Sequence, residues 1–556
     1  MGHNTDDMKN KSIKKYLIGV CVVFIINSSP ICIQAQNVGV GLLDPESKLH
    51  IQGSADNSQF IIDANSTQSN TSPLIKLRKS DGTDLLWIHS DYNTNVFVGL
   101  NAGRVNAQNE GDSNSFIGSN AGYSNTIGDD NTVVGSKALY FNTTGNLNTA
   151  SGSTALYKNT IGNLNVAFGA GAMYWNTKGC NNAAFGSFSL DRNTTASNNI
   201  AIGTNALYEQ SYSNNNTLWI SGNIAIGYEA LYNNEPTSIS NGIYNLAIGS
   251  RAMYTNTTGF DNVAIGESVL YANTDGFHNT AIGKQSLENN IGGDDNVALG
   301  WKSLPANTSG SKNTGIGVGS LTSNTSGLGN TAVGYNSLIS NNTGQLNCAF
   351  GQAAYFTSSA LNNTTCIGYL SGGFSNVDNR IEIGNSSVSW IGGQVNWAVY
   401  SDGRIKNNVR EDVPGLDFIN RLRPVTYNLN IHSQNNMAFQ GKKEEEVWDS
   451  KYDIEEMRMT GFIAQEVEQA AKEVAYNFSG IQKPPKENEL YSIRYAEFVM
   501  PLVKAVQELS QENQVLKNEM NAQNEVLIEL KNKLATQEAQ MISITQKFEA
   551  ISLKVE

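Results

Sequence analysis

Charge is scarce in this chain. Only 16% of its 556 residues are charged, against roughly a quarter in ordinary soluble domains. The formal net charge is −13, so no basic footprint exists to hold nucleic acid, and the acidic balance argues chiefly for solubility. Histidine is rarer still: His3, His50, His89, His278 and His432 are scattered, none with a serine and an acid in a recognisable motif. Of five cysteines, Cys21 and Cys32 lie near the start, while Cys180, Cys348 and Cys366 are far apart and odd in number. Without a CxxC pair or a Cys/His cluster, neither a metal nor a cofactor is expected, and the three read as small buried hydrophobes. No phosphate-binding loop stands out, since Gly-x-Gly steps such as Gly315-Ile316-Gly317 lack a following helix and a partner acid. Long apolar runs are also missing. The run Tyr16–Ile26 falls short of the ~20 residues that span a bilayer. It follows Lys9, Lys11, Lys14 and Lys15 and precedes polar Asn27–Ser29 and then Ala35, the order of a secretory signal over residues 1–35. Its length favours removal over a retained anchor, and Ser29-Pro30-Ile31 before Cys32 lacks the small residue of a lipoprotein site. The expectation is a secreted or cell-surface protein with no stable membrane span once the signal is gone.

Glycine is plentiful, with 52 residues. After Asn37–Gly41 and Lys48–Ile51, which read as short strands around a turn in an N-terminal β segment (36–95), the chain repeats itself. A small or apolar triplet ends in glycine at Gly99, Gly118, Gly135 and onward to Gly384, and twelve of the sixteen intervals are 17 residues. Intervals of 24 and 22 residues around Gly227 read as loop insertions. Each unit also carries a second patch, such as Ala138-Leu139-Tyr140, then Asn142-Thr143 and Gly145. Three-residue apolar patches are too short for helices, and Asn, Thr and Gly suit turns. Residues 96–384 therefore read as a β-solenoid rather than low-complexity disorder. Only 26 of these 289 residues are charged, and a small coil buries little on its own, which suggests that one patch faces a sister chain in a trimeric β-roll. The units resemble the head repeats of trimeric autotransporter adhesins, with a longer period.

Composition changes over a junction, 385–400, that carries Trp390 and Trp397. A short helix is expected in Pro414–Leu422, a strand in Val425–Leu429, a polar loop over 431–459, a strand at Gly461–Ala464 running into a helix, and a loop at Pro484-Pro485. The last segment, 501–556, reads as a coiled coil. Steps of four and three from Leu502 through Val506, Leu509, Asn513 and Leu516 reach Ile551, and twelve of these fifteen positions are apolar. Asn513, Gln523 and Gln537 interrupt the stripe and would set register.

One constellation suggests chemistry. Ser401 and Lys406 are five residues apart in Tyr400-Ser401-Asp402-Gly403-Arg404-Ile405-Lys406. A serine needs a base to become a nucleophile, and a lysine can serve if burial favours its neutral form. That pairing alone is weak. Together with Leu416-Asp417-x-Ile419-x-x-Leu422-x-Pro424-Val425, Gly461–Val467 and Tyr495–Leu509, it resembles the C-terminal intramolecular chaperone domain of phage tail spikes and endosialidases. The resemblance implies a domain over 401–500 that trimerises and cuts the chain once. Ser401 would be the nucleophile, Lys406 the base and Tyr400–Ser401 the scissile bond, with Asp402 and Arg404 near the cut. The whole then reads as an exported homotrimeric fibre, mainly β, whose target would be a cell-surface glycan or protein. A glycan-degrading spike with its site in the repeats, an uncleaved structural surface protein and a membrane-tethered regulator released by the cut are the alternatives. Few acids in the repeats and the lack of a basic segment weigh against the first and the last.

Overall fold

The computed structural model describes residues 38–40, 49–51, 60–63, 69–91, 93–107, 110–355, 358–373, 377–395, 397–438, 450–484 and 490–554. The proposed signal lies outside them. The chain divides into two units at Leu74/Ile75. In the first, Val38–Val40 pairs in parallel with Leu49–Ile51.

The second unit begins with a hairpin, Ile75–Arg78 and Asp84–His89, whose second strand pairs antiparallel with Val96–Val98. From there the ladder is parallel. Seventeen short strands, Val96–Val98 through Arg380–Ile383, stack coil upon coil, almost all three residues long. Each pairs in register with its equivalent one coil on, as Val263 with Thr280 and Ile265 with Ile282. The repeat phase is thus a β-solenoid, as the 17-residue spacing predicts.

Alternation along each strand decides what is inside. The middle residue points inward and is fully buried, as Ala150, Ala264 and Ala281 are; its neighbours point out. The second patch also fills this interior, through pairs such as Ala138 and Leu139. Both patches therefore pack into the chain's own core, correcting the expectation that one of them faces a sister chain whole. Side-chain volume is shared across that core. Where the strand centre is Phe97 or Phe116, the facing position is Gly103 or Gly122, at which an added Cβ would press into the ring. Where the centre is Ala150, Ala167 or Ala264, the equivalent position carries the larger, fully buried Leu156, Met173 or Leu270.

Asparagine also departs from its expected place. Two asparagines per coil are buried in ladders rather than exposed at turns. Asn142 donates to Asn125 Oδ1 at 2.7 Å and to the Gly145 carbonyl at 2.9 Å. In the second ladder, Asn148 donates to Asn131 Oδ1 and the Gly162 carbonyl. The amide side chain supplies a donor and an acceptor along the fibre axis, so a stack satisfies itself from level to level, except where Gln210 stands in place of asparagine and Asn193 Oδ1 and Gln210 Nε2 are left buried without a partner. The left-handed corner falls on leucine: Leu139, Leu156 and Leu270 have φ of 51°, 52° and 49°. That conformation costs roughly 1 kcal/mol per residue, offset here by complete burial of the side chain.

A column of tyrosines runs beside the core, with Tyr140, Tyr157 and Tyr174 stacked in succession. Asp191 takes the next place in it and is only 6% exposed. Burial pushes its carboxyl up to about 6 from an ordinary 3.8, with Arg192 opposing and Glu209 adding to the rise. A folded pKa above the unfolded one penalises the ionised folded form. The penalty is absent below pH 3.8 and grows as pH rises through about 6. Asp191→Asn is therefore expected to raise protection of residues 174–208 against hydrogen exchange at pH 7, by roughly 1 kcal/mol. Below pH 3.8 it should have no effect.

Beyond the ladder lies a small α+β region. Helix α1 (Leu416–Ile419) follows Pro414, and Val425–Tyr427 pairs antiparallel with Met459–Gly461. The stretch expected as a polar loop instead contains helix α2 (Ile431–Ala438) and a turn at Asp453–Glu456. Glu455 caps that helix by accepting from Ile431 N at 2.6 Å, an interaction that local composition does not announce. Helix α3 (Ala464–Glu473) buries Val467, Ala470 and Ala471 against Phe418, Phe478 and Phe498. Helix α4 (Val499–Ser552) is 54 residues long, or about 80 Å at 1.5 Å per residue. Only its first turns are anchored, through buried Pro501 and Ala505. The rest is exposed, including the apolar stripe from Leu502 to Ile551, so it is not an amphipathic helix laid on this chain's core. Among the described residues, no helix is long and apolar enough to cross a membrane.

Candidate functional site

Ser401 follows a stretch without regular secondary structure, 397–400, and opens onto a single 3-10 turn, Gly403–Ile405. Asp402 caps this turn, its side chain accepting from Arg404 N at 2.8 Å. The turn closes through Ile405 N to the Asp402 carbonyl and Lys406 N to the Gly403 carbonyl. One turn reverses the chain enough to bring Lys406 Nζ to 2.6 Å from Ser401 Oγ. The pairing inferred from a five-residue spacing is thus physically made.

Asp402 and Arg404 are tied to each other. The guanidinium donates to both carboxylate oxygens at 2.5 to 3.1 Å, and this contact with Arg404 holds the Asp402 carboxyl below its ordinary value. In the single chain, Arg404 is therefore engaged with Asp402 rather than directed at the Tyr400 carbonyl. Everything here is open to water. Tyr400 is 95% exposed, and Val399, Trp397 and Val395 on the approach are nearly as bare.

The domain downstream is fastened to the root of α4. Glu508, from the long helix, accepts from Leu416 N at 2.7 Å and so caps α1. Tyr495 Oη accepts from Phe462 N at 3.0 Å. Both contacts join segments that the sequence patterns singled out separately. Residues 401–476 match a family model described as the chaperone of endosialidase. The match begins at Ser401 itself. It is narrower than the resemblance read from the sequence, which runs into α4, and it leaves the solenoid unmatched. No curated protein matches the chain. No solved structure matches it either.

Elsewhere the solenoid gathers residues that look scattered in sequence. His278 lies between Asp261, with Nε2 to Oδ2 at 3.9 Å, and Asp295, with Nδ1 to Oδ1 at 3.2 Å. Their spacing of one coil each way, 17 residues, was the available signal. Burial raises the nearby Asp294 carboxyl, with Asp295 and Asp275 adding to the rise. His89 is buried at the start of the ladder, where burial pulls its pKa down, and His432 pairs with Glu455 at 3.0 Å. Among the described residues, Cys180, Cys348 and Cys366 are free thiols, the first two half-buried and the last buried; Cys366 is pushed up to about 12 by burial. No group of three or more His, Cys, Asp or Glu among the described residues is arranged to hold a metal.

Proposed function

We propose that this chain is an exported fibre that assembles as a homotrimer under its C-terminal chaperone-type domain and then cuts itself between Tyr400 and Ser401. The observation that carries the reading is the Ser401–Lys406 contact at the first residues of the matched domain.

Ser401 Oγ would attack the Tyr400 carbonyl carbon while Lys406 Nζ takes the hydroxyl proton. Within one chain this is an N-to-O acyl shift: the C–N bond breaks, an ester forms, and the proton passes to the Ser401 amine. Water then hydrolyses the ester and leaves a carboxylate on Tyr400. An ammonium group accepts a proton only after losing one, and burial favours that loss. In a lone chain the site is bathed in water. Sister chains covering the bare junction from Trp390 to Val409 would supply the missing burial and make the cut conditional on assembly.

The α4 stripe supports a coiled coil. Twelve apolar positions in heptad phase stay exposed over a helix anchored only at its root, and three copies in parallel would bury them. Such a bundle also fixes axial register, which matters because solenoid coils are nearly alike and would otherwise pair one turn out of step. Light scattering of the exported chain is expected to give three times the chain mass. A monomer at micromolar concentration would refute assembly through α4, and a dimer would keep a coiled coil but reject the three-fold fibre. The partner recognised by the fibre would be a glycan or protein at a cell surface.

A further inference from the structure

The side-chain ladders do not run unbroken along the solenoid. Up to one level the pattern holds: Asn193 donates to Asn176 Oδ1 at 2.8 Å, and Thr177 Oγ1 donates to the Thr194 carbonyl at 3.0 Å. One step on, both stop. Asn193 Oδ1, Thr194 Oγ1 and Gln210 Nε2 are buried without a partner. Turning the Gln210 amide end for end does not mend this. Its Oε1 already accepts from Asn234 Nδ2 at 2.5 Å and Asn223 Nδ2 at 3.3 Å, and a reversed amide would set donor against donor. The second ladder stops at the same level. The Asn223 side chain donates to Gln210, and Asn199 Oδ1 accepts instead from Ser221 Oγ at 2.7 Å. Main-chain bonds lengthen there too. Trp219 N meets the Thr195 carbonyl at 3.4 Å and Gly222 N the Ser197 carbonyl at 3.4 Å, whereas Thr160 N and Thr257 N reach the next coil at 2.9 Å. The cause lies in the 24-residue interval between Gly203 and Gly227: after Gln210 the chain leaves the path of the coil, and it rejoins at Trp219.

We propose that this level is a hinge built into the fibre, which opens on its asparagine face ahead of the coils on either side. The seven strands from Val96–Val98 to Ile200–Ile202 and the ten from Ile224–Ile226 to Arg380–Ile383 then behave as two cooperative rods. The inference rests on the solenoid alone and stands apart from trimerisation and self-cleavage. In a repeat array each coil is held only by its neighbours, so the weakest interface sets where the array parts. A buried polar atom without a partner costs more than an ordinary hydrogen bond contributes, and three such atoms lie on this one level. Strand pairing continues past it, Ala184 with Ala201 and Ala201 with Ala225. The sheet therefore serves as the hinge line, and the rod yields on the opposite face without coming apart. The tyrosine column is also interrupted nearby, by Asp191, and its stacking resumes at Tyr208 and Tyr232.

Native-state hydrogen exchange of the folded full chain, followed amide by amide under rising denaturant, reads the hinge directly. The amides of Trp219 and Ser221 donate across it, and both side chains are buried, so solvent exposure does not explain fast exchange there. Thr160 and Thr257 donate from coil to coil where the ladders are intact. Trp219 and Ser221 are expected to exchange roughly tenfold faster than Thr160 and Thr257, or more. Thr143 and Thr160 should share one opening transition, and Thr257 and Thr274 a second. Gln210→Asn restores an asparagine to the first ladder and should slow exchange at Trp219 and Ser221 while leaving Thr257 unchanged. If wild-type Trp219 and Ser221 exchange as slowly as Thr160 and Thr257, or if all four threonines open in one transition, there is no hinge and the proposal falls. If a folded Gln210→Asn chain keeps the fast exchange, the unpaired amides do not cause the opening and the proposal falls as well. Should that variant not fold, the two wild-type readings decide.

Discussion

The exported wild-type chain is expected to appear on a denaturing gel as two pieces, the smaller spanning Ser401–Glu556 and starting with serine by N-terminal sequencing. Ser401→Ala and Lys406→Ala should each leave one intact chain, less any signal, that still assembles. The loss should be complete rather than partial, because each variant removes a participant in the bond-making step: alanine has no nucleophile at 401 and no proton acceptor at 406. Lys406→Arg should fail as well, although it preserves charge and reach, because a guanidinium stays protonated and cannot act as base. That variant separates a chemical role for the lysine from a purely structural one, since an ion or hydrogen-bond partner would be conserved by arginine. Wild type that remains whole while visibly trimeric would remove the Ser–Lys assignment and leave an uncleaved assembly domain.

A second large effect is expected inside the solenoid. Gly317 has φ of +129°, and a Cβ there would stand 2.5 Å from the Gly334 carbonyl oxygen of the next coil. Both the strained backbone and a clash with main chain that cannot swing aside oppose any side chain. Gly317→Ala should cost about 4 kcal/mol, near the upper end for single substitutions. Unfolding of a long repeat array is not all-or-none, so the loss is best read locally, as an increase of about a thousandfold in amide exchange confined to residues 300–334. Gly315 provides the contrast. It occupies the strand centre, where neighbouring coils carry Ala298 and Ala332, and a Cβ there meets the hydroxyls of Ser303 and Ser320. Those serines bond to each other at 2.8 Å and can turn away, so Gly315→Ala should cost about 1–2 kcal/mol. Equal effects at the two glycines would contradict the stacked-backbone account.

Periodicity made the solenoid legible. A strand of three residues followed by a corner must return in step to pair in parallel, and the 17-residue spacing of the glycines records that return. The short helix at Leu416–Ile419, the strand at Val425–Tyr427 and the long final helix were legible for similar reasons: a proline at the start, a β-branched run and a heptad stripe. The α2 helix was not, because its polar sequence is organised by a distant glutamate. Asparagine was misplaced because its local preference for turns is a property of single residues, whereas its burial here depends on an identical residue one coil away. Both apolar patches were assigned to different chains because spacing gives no direction; only the path of the coil shows that they face one another.

At the candidate site, the sequence by itself determined the identity and spacing of Ser401 and Lys406 and the order of the motifs that follow. Only the tertiary structure decided that a single 3-10 turn, capped by Asp402, brings the two side chains within hydrogen-bond distance, that Arg404 is held by Asp402, and that Glu508 fastens the domain to the root of the long helix. The division has a physical cause. Repeats and heptads are written in near neighbours along the chain, since pleat and helix impose periods of two and 3.6 residues. Contacts such as Glu508 with Leu416, or Tyr495 with Phe462, join residues far apart in sequence, and no period along the chain records them before the chain has closed upon itself.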